Sequence, residues 1–528
     1  MNTKIKNFIL YVLCGLVITS CGPDTNKKSI NKQVGENYYK EKYRPHFHFS
    51  PEANWMNDPN GLVFFDGEYH LFYQYYPDST VWGPMNWGHA ISPDLVHWTH
   101  LPIALYPDSL GYIFSGSAVV DSGNTAGFGN GDVPAIVAVF TYHNPKLEAS
   151  GSDSYQSQGI AYSTDRGRTW TKYSGNPVLS NPGKKDFRDP KVFWHQGTGK
   201  WIMILAVYDR VQIYSSGDLK SWSFETEFGV NAGAHSGVWE CPDLFPLKVE
   251  GSGATKWVMF VSINPGGPNS GSATQYFTGS CDGHKFSPDV TNEKWVDWGT
   301  DNYAGVTWSG IPDTDSRKLF IGWMSNWNYA TVVPTSVWRS AMTIPRELSL
   351  VKENGNYMLV SEPSRELNML RMGSGYLFPG KERKGMGKII SVENPKLNQC
   401  ELDFEFNIGT EFKDTLKLIL ENELGEKFIT GYSGLTEEIF VDRTKSCNSS
   451  FSKGFAAVAK APYQASGILK LRMFIDAASA ELFVDNGKLV ITTIFFPEKN
   501  YSKLTVFSGK ENVILEKAEF SELASIWR

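Results

Sequence analysis

Short apolar runs, each cut off by Gly, Pro, Asp or Asn, fill the first two thirds of the chain. Leu62 to Tyr76 is typical: LVFF, then DG, then EYHLFYQYY. Brief stretches rich in Phe, Tyr, Val and Ile between turn residues predict β-strands joined by tight turns. The pattern then recurs. An acid with a proline close behind precedes an aromatic strand, a turn and a second strand in NDPNGLVFF…YHLFYQ, in RDPKVFWHQGTGKWIMIL and in ECPDLFPL…KWVMFV. Two further segments, FSGSAVV…AIVAVFTY and YAGVTWSG…KLFIGWM, keep the strand pair without the acid. Five modules between about Trp55 and Pro345, each with several short strands, predict a five-bladed β-propeller.

A second repeat punctuates the modules: Ser-x-Asp, then a ring a few residues on. It occurs at Ser92/Asp94/Trp98, Ser163/Asp165/Trp170, Ser216/Asp218/Trp222 and Ser280/Asp282/Phe286. Ser and Asp side chains bond nearby backbone and close turns, so these aspartates are read as structural. After Pro345 the repeat stops. From about residue 385 the alternating strings CELDFEFNI, LKLILEN, EIFVDR, AELFVDN and KLVITTIFF, with a DNG turn at Asp485 to Gly487, predict a β-sandwich over 385–528. Residues 346–384 are expected to connect this sandwich to a propeller over 43–345.

Composition narrows the function. The chain has 528 residues, 17 Trp and a net charge of −6, so it has no basic field to draw in nucleic acid. Abundant rings with little net charge suit a neutral, stackable ligand such as a sugar. At the amino end, Lys4 and Lys6 precede an apolar run from Phe8 to Ile18 that is too short to span a bilayer. Ile18-Thr19-Ser20-Cys21 then resembles a bacterial lipobox, so residues 1–20 are read as a signal peptide cleaved before a lipidated Cys21. Residues 21–42 are polar and aperiodic and are expected to act as a tether. The implied location is that of an exported, membrane-anchored lipoprotein. Cys241, Cys281, Cys400 and Cys447 remain, with no zinc spacing. Four free thiols are expected, and Cys400–Cys447 is the pair to test for a disulfide. His46 and His48 share a strand face, but two histidines without a third ligand favour packing over metal binding.

The acids Asp58, Asp189 and Glu240 stand at the same place in their modules, at the entrance of the first strand. In a propeller such positions converge on the axis, so three carboxylates from distant sequence are expected in one pocket. Crowding like charges is costly and raises at least one pKa, which suits acid/base chemistry.

These motifs resemble those of glycoside hydrolase family 32, the β-fructosidases: invertases, inulinases and levanases. The likeness rests on WMNDPNG (Trp55 to Gly61), FRDP (Phe187 to Pro190) and WECPD (Trp239 to Asp243). YRPHFHF, WGHAISPDLVHW, FSGSA, GWMSNW and AELFVDNG add to it. The resemblance implies a retaining hydrolase that releases fructose from β-fructans without metal or cofactor. Such enzymes place two carboxyls about 5–5.5 Å apart. By motif match, Asp58 is the nucleophile, Glu240 the acid/base, and Asp189 holds the sugar's 3- and 4-hydroxyls. Asn57 donates to Asp58, and Arg188 offsets the cluster's charge. Gln74, Trp82, Phe114, Ser115, Tyr303 and Trp323 line the terminal sugar site by the same analogy. Their bland readings are core rings, an interior amide and a serine that eases a tight backbone. Three alternatives stay open: an endo-levanase, a lipid-anchored glycan-binding protein without turnover, and, further off, a sialidase-like propeller. Linkage preference is not encoded in these motifs.

Overall fold

The computed structural model describes residues 38–131, 133–377 and 383–527. The expected signal segment, Cys21 and most of the expected tether lie outside the described residues. Among the described residues, no helix is long and apolar enough to cross a membrane.

Five antiparallel sheets account for the first part of the chain. Their innermost strands are Asn54–Phe65, Tyr112–Asp121, Phe187–His195, Val238–Lys248 and Tyr303–Thr307. Each touches the next, and the fifth touches the first, so they close a ring around a central axis. The sheets are therefore the blades of a five-bladed propeller, numbered 1 to 5 in chain order. Blade 1 also takes Trp338–Arg339, which pairs in parallel with Asn54 and Trp55 and fastens the end of the ring to its beginning.

The apolar runs follow from packing on both faces. Each blade is covered by a neighbour on either side, so a middle strand has no polar face to present. All nine residues of Ala135–His143 are buried. Phe72 and Trp87 of blade 1 pack on Ile113 and Phe140 of blade 2. Val137 and Val139 meet Phe187 and Met203 of blade 3, and Phe245 and Phe260 of blade 4 meet Phe320 and Leu350 of blade 5. The Ser-x-Asp turns behave as expected. Asp94 Oδ1 accepts from the backbone of Val96 (3.0 Å) and His97 (2.8 Å), and Asp218 Oδ1 from Lys220 (2.9 Å) and Ser221 (2.7 Å). The Trp170 and Trp222 indoles donate to the Gly167 and Leu219 carbonyls at 3.1 Å.

One boundary differs from expectation. Arg346–Glu353 and Asn356–Pro363, assigned above to the connection, are the outer strands of blade 5. They carry no acid-proline motif, so the sequence repeat ends before the blade does.

The remaining strands form an eleven-stranded sheet folded into a sandwich around Leu402, Phe404, Phe406, Leu418, Leu471 and Val506. Its long last strand, Lys503–Leu523, belongs to both layers. Lys503–Ser508 pairs with Thr415–Glu421, and Ile514–Glu522 pairs with Cys400–Gly409. Blade and sandwich are joined by buried ions. Arg346 lies between Asp297 (3.0 Å) and Glu481, and Arg443 reaches Asp301 at 2.7 Å. His46 and His48 complete this junction. Both Nδ1 atoms lie against Asp476, at 2.9 and 2.8 Å, and His48 Nε2 is 3.0 Å from Glu481. Cys241, Cys281, Cys400 and Cys447 are all free thiols.

Candidate active site

Every innermost strand breaks register at the same height. The breaks fall between Met56 and Pro59, Ile113 and Gly116, Glu240 and Asp243, and Tyr303 and Val306. In blade 3 two residues, Asp189 and Pro190, face the single Leu205 between the pairs Arg188–Ala206 and Lys191–Ile204. A β-bulge leaves its extra residue outside the ladder and re-aims side chains. The prolines of the repeated motif now have a reason: Pro59, Pro190 and Pro242 sit at bulges, where no ladder N–H is required. Asp189 and Cys241, each just before its proline, have φ of +64° and +45°. Such backbone is costly for residues other than glycine and clusters at functional sites.

The bulges gather the three acids (blades 1, 3 and 4) around the thiol of Cys241. Cys241 Sγ is 3.5 Å from Asp58 Oδ2 and 3.7 Å from Asp189 Oδ2, and its backbone N–H donates to Asp189 Oδ2 at 3.0 Å. Arg188 spans the cluster: Nη2 lies 2.9 Å from Glu240 Oε1, Nε 3.8 Å from Asp189 Oδ2, and Nη1 2.6 Å from Asp186 Oδ1. One correction concerns register. Glu240 is not placed like Asp58 and Asp189; it pairs just before its bulge, as Arg188 and Tyr303 do, and Cys241 occupies the pre-proline position.

The acids differ in their surroundings. Asp58 accepts from Asn57 Nδ2 (3.0 Å), Ser115 Oγ (2.7 Å) and the Cys241 thiol. Burial pushes its pKa up, as does the charge of Glu240, while these donors pull it back. Asp189 is pushed up to about 7, chiefly by burial. Arg188 opposes the rise, and Glu240 and Asp58 add to it. Glu240 keeps 21% side-chain exposure and receives the Tyr303 hydroxyl on Oε2. Burial, then the charge of Glu240, holds the Tyr303 phenol well above its usual range, so it stays a donor. Burial and the three neighbouring carboxylates likewise keep the Cys241 thiol protonated. Burial works against the Arg188 charge, but Glu240, Asp189 and Asp186 outweigh it.

The other expected residues divide by depth. Asn57 is buried, and the Trp55 indole donates to its Oδ1 at 2.8 Å, which turns the amide N–H₂ toward Asp58. Ser115 lies in the pocket through its bond to Asp58. Gln74 donates to the Ile113 carbonyl at 3.1 Å and ties blade 1 to blade 2 just before the Phe114–Ser115 bulge. Trp82 is on the rim, 41% exposed, edge-on to Phe114 at 6.1 Å. Trp323 is fully buried behind Tyr303, packed between Trp55 and Trp327, so it supports the wall without lining the opening. The sequence reading did not single out Cys241, Asp186 or His143. Cys241 carried a signal, since it stands before Pro242 as the aspartates stand before theirs. His143, stacked on Phe114 at 4.3 Å, carried none.

Comparison with known proteins agrees with this architecture. Residues 48–363 match the glycosyl hydrolases family 32 N-terminal domain, and residues 379–524 match the family 32 C-terminal domain. The chain is 47% identical to a levanase of Bacillus subtilis, over 93% of this chain and 72% of that one. It is 37% identical to an extracellular exo-inulinase of Aspergillus ficuum, over 93% and 96%. Among solved structures, the exo-inulinase of Aspergillus awamori superposes with a TM-score of 0.84 at 36% identity, covering 93% of this chain and all of that one. A fructofuranosidase from Schwanniomyces occidentalis complexed with fructose gives 0.80 at 32%, covering 92% and 99%. With both domain models matched in order across a bulge-built acid cluster, the chain belongs to glycosyl hydrolase family 32 and is a glycosidase.

Proposed function

We propose that the protein hydrolyses β-fructans, and sucrose, by double displacement, releasing fructose from chain ends. The observation that carries this reading is the unequal support of two acids in one pocket. Asp58 receives three donors and is kept ready as a carboxylate nucleophile for the anomeric carbon. Glu240, held by Arg188 and Tyr303 at a more exposed position, protonates the departing oxygen. It then takes a proton from the incoming water, which cleaves the fructosyl–Asp58 bond and restores both acids. Asp189 accepts hydroxyl protons of the bound sugar and stabilises the oxocarbenium-like transition state. The names of the levanase, exo-inulinase and fructofuranosidase relatives support the substrate class. Glu240→Gln should lower sucrose hydrolysis by about 10²–10⁴-fold, the usual share of general acid–base catalysis, with sugar binding retained. Unchanged turnover would sink the assignment. A product time course on levan and inulin tests the mode: free fructose from the first minutes supports chain-end attack, and an oligomer ladder overturns it.

We also propose that the enzyme is tethered to a membrane surface by lipid on Cys21. The basic start, short apolar run and small residues before Cys21 support this. Cys21→Ser should release the enzyme into the soluble fraction and abolish incorporation of labelled fatty acid; retention in the membrane fraction would refute the anchor.

A further inference from the structure

Two strands of blade 2, Ala135–His143 and Gln156–Ser163, meet beside the Phe114–Ser115 bulge, on the mouth that holds the acids. Their connection, residues 144–155, is closed at its neck, where the Asn144 N–H donates to the Tyr155 carbonyl at 2.7 Å. Asn144 Oδ1 also accepts from the N–H groups of Lys146 and Leu147 and starts the short helix Pro145–Ala149. The segment leading into blade 3 grips the connection too, since Asn181 Nδ2 donates to the Asp153 carbonyl at 3.1 Å. The Tyr155 ring is buried and edge-on to His143 at 5.5 Å, and His143 is stacked on Phe114. The Tyr155 hydroxyl is therefore held in one place.

That hydroxyl contacts Asp186 in both directions. It donates to Oδ1 at 3.2 Å and accepts from the Asp186 N–H at 3.3 Å. Asp186 stands just before the first strand of blade 3 with φ of +55°, and the Tyr208 N–H donates to its carbonyl at 3.3 Å. Left-handed backbone at a residue other than glycine persists where the surroundings over-determine it, and here Tyr155 and Tyr208 do so between them. The carboxylate so placed meets Arg188: Asp186 Oδ1 accepts from Nη1 at 2.6 Å, while Nη2 of the same guanidinium donates to Glu240 Oε1 at 2.9 Å. Burial, then the charge of Asp186, pushes the Tyr155 phenol up to about 12, so it stays a donor at neutral pH.

A path Tyr155–Asp186–Arg188–Glu240 thus crosses from blade 2 to blade 4. A guanidinium is a rigid planar fork on a long, freely rotating stem, so a bond at one nitrogen decides where the others point. Holding Nη1 on Asp186 therefore holds Nη2, and with it the carboxyl that Nη2 meets. Misplacing a reacting group by about 1 Å can cost on the order of 10²-fold in rate. A hydroxyl at the far end of this path is well placed to matter.

We propose that Tyr155 is a positioning residue for the reaction: through Asp186 it fixes the Arg188 guanidinium, and so the Glu240 carboxyl that protonates the departing oxygen. This role rests on Glu240 being the proton donor. A plain staple between blades 2 and 3 would make the same contacts, but its loss would not distinguish one leaving group from another.

The test compares kcat/KM for sucrose with kcat/KM for p-nitrophenyl β-fructofuranoside, whose p-nitrophenolate departs without needing a proton. The ratio of the two does not depend on how much of the enzyme is folded. Tyr155→Phe keeps the ring and removes only the hydroxyl. It should lower kcat/KM for sucrose about tenfold, part of the share of general acid–base catalysis, and that for the aryl fructoside by less than about twofold. In Arg188→Gln protein the same substitution should change sucrose kcat/KM by less than about twofold, because its route to Glu240 is already cut. Equal losses on the two substrates overturn the proposal, as do no loss on sucrose and an undiminished effect in the Arg188→Gln background. Glu240→Gln, assayed alongside, should lose far more on sucrose than on the aryl fructoside. Equal losses there defeat the proposed reaction and this role with it, whereas a split in Glu240→Gln without one in Tyr155→Phe defeats the role of Tyr155 alone.

Discussion

Arg188 Nη2 lies 2.9 Å from Oε1 of Glu240, so a guanidinium from blade 3 sets the position of the proposed proton donor in blade 4. The same guanidinium holds down the pKa of Asp189. Replacing it removes the positive charge that opposes the rise, so Asp189 loses its proton at higher pH. We predict that Arg188→Gln moves the acid limb of kcat/KM upward by about one pH unit and lowers kcat/KM by about 10²-fold. A pH–rate profile of the two proteins checks both, and an unmoved limb would remove Arg188 from the electrostatics of the site.

Asp189 supplies the opposite case. With Asp189 pushed up to about 7, chiefly by burial, its carboxyl is partly protonated near neutrality. A carboxylate that accepts the sugar's hydroxyl protons must be ionised, so kcat/KM should rise as pH climbs through about 7. Asp189→Asn removes that titration, so a pH–rate profile of the residual activity should lose this limb, with kcat/KM down about 10²–10³-fold from the lost hydroxyl acceptor.

Trp82 stands at the rim with much of its ring exposed, so its loss opens no core cavity. Trp82→Ala should leave the melting temperature within the scatter of surface substitutions. KM for fructo-oligosaccharides should rise about fivefold, the size of one aromatic contact. Trp323→Ala, fully buried, should instead cost about 3–5 kcal/mol of stability. Thermal melts and oligosaccharide kinetics on the pair separate rim from wall.

The junction of propeller and sandwich predicts a pH dependence unrelated to catalysis. Burial works against the charge of His48, but Asp476 and Glu481 outweigh it and raise its pKa to about 9 from 6.5. Protonated His48 thus stabilises the fold fully below about pH 6.5, and that contribution, about 3 kcal/mol, fades as pH climbs through 9. Melting temperature should fall over that window in the native protein and fall less in His48→Gln. Asp476, held below the usual carboxylate range against its burial by His46 and His48, acts in the other direction, and its share is lost only in acid.

Much of this was legible because its causes are local. Turn chemistry at Asp94, Asp165 and Asp218 needs only a few neighbouring residues. A middle blade strand such as Ala135–His143 is apolar throughout because both its faces are covered, and that run is written in the sequence. Asp58, Asp189 and Glu240 stand out because each lies within two residues of a proline at a strand entrance, and the family motifs carried their identity.

Other features depended on closure of the ring and on packing between distant segments. The strands Arg346–Glu353 and Asn356–Pro363 belong to blade 5 through pairing with Lys318–Met324, not through any motif of their own. Cys241 reaches two carboxylates only because a bulge aims it at the axis. Trp82 and Trp323 look alike in sequence, yet one ends on the rim and the other behind Tyr303. His46 and His48 find Asp476 more than four hundred residues away. The sequence by itself determined which segments become strands, where they turn and which acids face the axis, because backbone preference and burial act over a few residues. Depth, partners and charge state were decided only when radial closure and docking of the sandwich brought remote side chains within hydrogen-bond distance.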